Sequence, residues 1–101
     1  MKNLIILILF VLIPFSSNAF TARDYACGKI LKWEKNNNRL QKASIKGWLE
    51  GYIHARNYEN NSSKGKGVSI DSIYYALIKY CRENPLEYSN DGAIYIYDNK
   101  L

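Results

Sequence analysis

The sequence predicts an all-α fold, a small three- to four-helix bundle held by one disulfide and preceded by a cleaved signal peptide. Three observations carry that prediction. Apolar residues recur at helical spacing in two long segments, the chain holds only two cysteines, and its first nineteen residues have the layout of an export signal.

The export signal comes first in the chain. A single Lys2 precedes the apolar stretch Leu4 to Phe15, which gives way to Ser16, Ser17, Asn18 and Ala19. Such a run, interrupted by Pro14, falls short of the roughly 20 residues a membrane-crossing helix needs. Small residues at Ser17 and Ala19 suit signal peptidase, so cleavage is expected between Ala19 and Phe20. The reading is residues 1–19 as signal peptide and 20–101 as a single helical domain in the periplasm, with no stable membrane insertion. No cysteine stands at the cleavage site to carry a lipid.

Losing 19 of 101 residues leaves 82, a chain too short to be comfortably stable on core packing alone. In an exported protein the two cysteines, Cys27 and Cys81, read as a structural disulfide, and only one pairing exists. Closing that loop is worth about 4 kcal/mol in the chain-entropy account. Without Lys2 the 14 basic residues become 13, against 9 acidic ones and one histidine, a net charge of +4. The basic residues are scattered, which together with export argues against nucleic acid as a partner.

Along the chain, Thr21 with Asp24 resembles a capping box, and Ala26, Cys27, Ile30 and Leu31 recur at helical spacing, predicting a first helix from Ala22 to about Lys35. Asn36, Asn37 and Asn38 end it. The second helix, about Leu40 to Tyr58, is the clearest: Ile45, Trp48, Leu49, Tyr52, Ile53 and Arg56 share one face. Beside that face run Gly47, Gly51 and Ala55. Each glycine costs about 1 kcal/mol relative to alanine in a helix interior, so close approach of a neighbouring helix is the expected compensation and a docking groove the alternative.

Residues 59–67 read as a flexible loop. A third helix begins near Ser69 and buries Ile70, Ile73, Tyr74, Leu77, Ile78 and Cys81 before Asn84-Pro85 stops it. Residues 92–97 alternate like a strand, yet Ser89 to Asp91 can cap a short helix with Ile94 and Tyr97 inward. The helix is preferred because a lone strand would have no partner.

No chemical motif emerges. His54 is the single histidine and comes with no nucleophile elbow, and one histidine beside two disulfide cysteines is too few ligands for zinc. Gly65-Lys66-Gly67 lacks the length and the hydroxyl residue of a phosphate loop. The expectation is a protein without catalysis, cofactor or metal. Nine tyrosines exceed what the buried faces can hold, and exposed tyrosine is good interface material. The residues expected to contact a partner are Gly47, Gly51, His54 and Tyr75.

Tyr80-Cys81-Arg82-Glu83-Asn84-Pro85, with the early Cys27 and the central Trp48-Leu49-Glu50-Gly51-Tyr52, resembles two groups of small exported helical proteins. One is the HdeA/HdeB family of periplasmic acid-stress chaperones, whose early cysteine is bridged to a later one in a similar Tyr-Cys context. The other is the Rap/Tai family of periplasmic immunity proteins, which neutralise secreted peptidoglycan amidase toxins and carry a Gly-Tyr-x-x-Gly-like motif in a central helix; here Ala55 takes the second glycine's place. The first resemblance implies a binding module for unfolded clients, the second an inhibitor of one toxin enzyme. Either implies a protein partner, with a homodimer as a further option. Heavy use of Asn, Lys, Ile and Tyr also fits a plasmid- or phage-encoded accessory protein of the cell envelope.

Overall fold

The computed structural model describes residues 24–101, so the expected signal peptide and Thr21 lie outside the described residues. Four helices and no strands make up this part of the chain: α1 Cys27–Lys35, α2 Arg39–Asn60, α3 Ile70–Glu83 and α4 Ser89–Asn99. None is long and apolar enough to cross a membrane.

The asparagine run does two jobs at once. Asn36 caps the end of α1, Asn37 takes the left-handed conformation (φ 50°), and the Asn38 side chain accepts from Gln41 N–H at 3.2 Å to start α2. Asparagine suits all three roles, because its short amide tolerates φ > 0 and competes for backbone donors. Asn61, also left-handed, ends α2 two residues later than the sequence suggested.

α3 packs against each of the other helices. The face predicted for it is the face it buries, apart from Ile70, which is only half-buried. It meets Ile45, Leu49 and Ile53 of α2, Ile30 of α1, and Ala93, Ile96 and Tyr97 of α4 in one core. Cys27 at the start of α1 and Cys81 in the last turn of α3 are bonded, fully buried, and 5.0 Å apart at Cα. The disulfide therefore pins α1 to α3 inside the core, as expected.

Three expectations need correction. The first helix begins at Cys27 rather than Ala22, and Asp24 does not cap it. Instead Asp24 Oδ1 accepts from Ser89 Oγ and Asn90 N–H, both at 3.1 Å, and so caps α4 across 65 residues of chain. Tyr25 and Ser89 exchange two further bonds, Tyr25 N–H to Ser89 Oγ at 2.8 Å and Ser89 N–H to Tyr25 O at 2.7 Å. Hydrogen-bond demand at the α4 N-terminus outweighs one more turn of α1.

Second, the tail is a helix, but Ile94 is 45 % exposed while Ala93, Ile96 and Tyr97 are buried. Third, Gly47 and Gly51 are exposed, with no atom within 4 Å of where a Cβ would stand. The close helix approach lies elsewhere: a Cβ on Gly92 would stand 2.6 Å from Leu77 Cδ1 and 2.9 Å from Tyr80 Cδ1. Gly92, on α4, is the residue that lets α4 settle onto α3.

Candidate functional site

The four expected contact residues fall into two places. Gly47, Gly51 and His54 share the outward face of α2, together with Leu40 (76 % exposed) and Tyr58 (90 % exposed). Residues 40, 44, 47, 51, 54 and 58 alternate by four and three, the spacing of a continuous seam on one helix side, and the bundle uses none of this seam for its core. Tyr75 stands apart on α3, 60 % exposed, with its ring edge-on to Tyr74 at 5.7 Å.

Between the C-terminal half of α2 and the start of α3 lies a cleft of about 340 Å³. Glu50, His54 and Asn57 form its α2 wall, residues 62–66 close its end, and Ile53, Val68 and Ile73 supply apolar lining. Glycines at positive φ shape the closing loop, Gly65 at 79° and Gly67 at 82°, a conformation glycine adopts without strain. A second groove of about 310 Å³ runs between α3 and α4, beside Lys79, Tyr80, Tyr95 and Lys100.

Asn57, which no sequence motif singles out, organises the loop. Its Oδ1 accepts from the Tyr97 hydroxyl at 2.7 Å, from Ser62 Oγ at 2.9 Å and from Lys64 N–H at 3.1 Å. Its Nδ2 donates to Lys64 O at 2.9 Å. The loop expected to be flexible is thus tied to α2 and α4. Lys64 Nζ closes the arrangement by donating to Tyr97 O at 3.1 Å.

Cations surround the Tyr97 ring, with Arg56 Cζ 4.5 Å and Lys64 Nζ 4.8 Å from its centre. Burial pushes the Tyr97 hydroxyl up, but hydrogen bonding with Ser62 and Asn60 and the charges of Lys64 and Arg56 outweigh it, leaving its pKa below the ordinary tyrosine value. The hydrogen bond to Tyr52, first, and then the charges of Tyr52 and Asp98 hold the Arg56 pKa above its usual value. Arg56 donates to Tyr52 Oη at 2.6 Å and to Asp98 Oδ1 at 3.2 Å. Its predicted place on the core face is half right: Arg56 is half-buried, and its guanidinium reaches across to α4.

Carboxylates sit at the seams between helices. Glu34 of α1 accepts from the buried Tyr74 hydroxyl of α3 at 2.5 Å and lies 3.5 Å from Lys42 of α2. Asp71 of α3 pairs with Lys46 of α2 at 2.9 Å, and Asp98 of α4 with Arg56 of α2 at 3.2 Å. Asp24 caps α4. Every helix is thereby joined to another through a carboxylate.

Among the described residues no group of three His, Cys, Asp or Glu side chains is placed to hold a metal ion. His54 is exposed on the rim of the cleft, with no hydroxyl nucleophile bonded to it. The chain matches no protein-family model, no curated protein and no solved structure.

Proposed function

We propose that the chain is an exported, non-catalytic protein-binding module of the periplasm, of the HdeA/HdeB kind, which binds unfolded client chains when acid loosens its bundle. The observation that carries this reading is that a carboxylate contact joins each helix to a neighbour. Protonating the nine carboxylates leaves 13 lysines and arginines without counter-charges in residues 20–101, so self-repulsion rises as the seam contacts weaken. Each exposed pair is worth only about 0–1 kcal/mol, and the effect is collective. The disulfide keeps α1 on α3 while α2 and α4 are free to move, which would offer the apolar faces of Ile45, Leu49, Ile53 and Ile96 to a client. The test is suppression of light scattering when a model client enzyme is unfolded at pH 3 and returned to neutral. Suppression by the oxidised protein is expected, and absence of any effect at equimolar or higher ratios contradicts the reading.

A second reading, a Rap/Tai-like immunity protein that inhibits one secreted toxin enzyme, is favoured by the outward face of α2. Gly47, Gly51 and His54 lie open there, in the helix that carries the resemblance, and the helix-interior glycines have no compensation within the bundle. A second copy of the chain is the other occupant compatible with this face: laid antiparallel, it would set Gly47 against Gly51, Ser44 against His54 and Leu40 against Tyr58. Inhibition of a peptidoglycan amidase at neutral pH, abolished by Gly51→Lys, would establish the inhibitor reading over the chaperone one.

A further inference from the structure

We propose that the cleft between α2 and α3 is a peptide-binding site that seats one aliphatic side chain of a partner protein with an acidic residue beside it. The inference deepens the protein-binding reading above and rests on it.

The cleft's chemistry sets the ligand class. Ile53 and Ile73, both nearly buried, and the half-exposed Val68 form an apolar lining that only an apolar group would complement. The volume, about 340 Å³, falls within the range of small-ligand sites and exceeds what one aliphatic side chain fills, leaving room for its flanking backbone. Around this lining stand Lys66 and His54. Among the described residues neither is engaged in an ion pair. The first residue of α3, Ile70, also lines the cleft. Glu50 is the one carboxylate on the rim. With Lys64 and Lys66 against it in the lining, the balance favours an anionic group.

A peptide fits better than a free acyl chain of the same polarity. Ser62, Ser63, Lys64 and Lys66 occupy the closing end, and the backbone N–H groups of Ser63 and Gly65, both in the lining, have no acceptor among the described residues. A hydrocarbon tail would leave such groups without partners, which is costly. An extended peptide supplies carbonyls for them and so adds specificity to the apolar anchor. The site is also preformed, because the Asn57 side chain holds the loop by three hydrogen bonds and α4 by a fourth. Little ordering is left to be done on binding.

The experiment is a nuclear magnetic resonance titration of the oxidised, exported protein, labelled with nitrogen-15, with the probe acetyl-Glu-Ile-Glu-amide. Saturable shifts at Ile53, His54, Lys66, Val68 and Ile73 are expected. Replacing the probe's isoleucine by glycine weakens binding by about tenfold or more, from the lost apolar burial. Charge reversal in Lys66→Glu, at an exposed position that leaves the core intact, weakens it by about threefold or more. Val68→Asp provides a second, independent variant with the same expected loss. Absence of saturable shifts in the cleft overturns the proposal, as does binding unaffected by the glycine probe or by Lys66→Glu. Tighter binding of hexanoate than of the peptide also overturns it, in favour of a free amphiphile. If the cleft fails these tests while client scattering is still suppressed, the cleft assignment falls and the chaperone reading stands.

Discussion

The Tyr97 hydroxyl donates to Asn57 Oδ1 at 2.7 Å across 40 residues of chain, and this bond ties α4 to both α2 and the loop that follows it. The same oxygen serves Ser62 and Lys64. Removing the side chain in Asn57→Ala leaves Lys64 N–H without its acceptor and the Tyr97 hydroxyl with only Ser62 Oγ. We expect a loss of about 1–3 kcal/mol of stability and faster amide hydrogen exchange over residues 61–67. Unchanged protection of that loop would show that Asn57 does not organise it.

The two kinds of glycine separate cleanly. Gly92→Ala must place a methyl group against Leu77 and Tyr80, and overpacking of that kind costs about 1–3 kcal/mol. Gly51→Ala meets open space and should stabilise the protein by about 1 kcal/mol through helix propensity. Urea denaturation of the two variants should move the midpoint in opposite directions.

Reducing the protein, or making Cys81→Ser, releases the only crosslink between α1 and α3. The expected loss is about 4 kcal/mol for a closed loop of this length, large against the few kcal/mol that a bundle of this size holds. Thermal melts of oxidised and reduced protein that coincide would contradict this.

Alkaline titration distinguishes the tyrosines. Burial, then the hydrogen bond to Glu87, pushes the Tyr80 hydroxyl up to about 12 from 10. Its contribution to stability is intact below pH 10 and is lost as pH climbs from 10 to about 12. Burial and then Glu34 raise Tyr74 as well. Tyr97, lowered, behaves oppositely and gains stability as pH rises through its folded value. Ultraviolet phenolate titration should show an early-ionising tyrosine that disappears in Tyr97→Phe and persists in Tyr80→Phe.

What the sequence made legible was periodicity and covalent arithmetic. The faces of α2 and α3 could be read because burial repeats with the helix turn, and the disulfide because only two cysteines exist. The partner of each surface could not be read. Asp24 looked like a cap for its own helix and caps α4; Gly47 and Gly51 looked like a packing groove, whereas Gly92 is the close contact. Asn57 and Arg56 each also reach a partner in α4 forty or more residues away, and local pattern carries no record of such bonds. Ile94 and Ile96 both fit an amphipathic helix until packing against α3 fixes its rotation. His54 could be placed off the core face of α2, yet the cleft beneath it exists only because the loop folds back onto Asn57.

The measurement that tests the central claim most directly is sedimentation of the oxidised protein at pH 7 and pH 3, with an apolar-surface dye read on the same samples. The account predicts a compact, dye-silent species at pH 7 that binds dye at pH 3 while its disulfide stays closed, with dissociation in acid if two copies associate at neutral pH. An unchanged, dye-silent species at pH 3 would contradict it, showing that the carboxylates at the helix seams do not control the opening of the bundle.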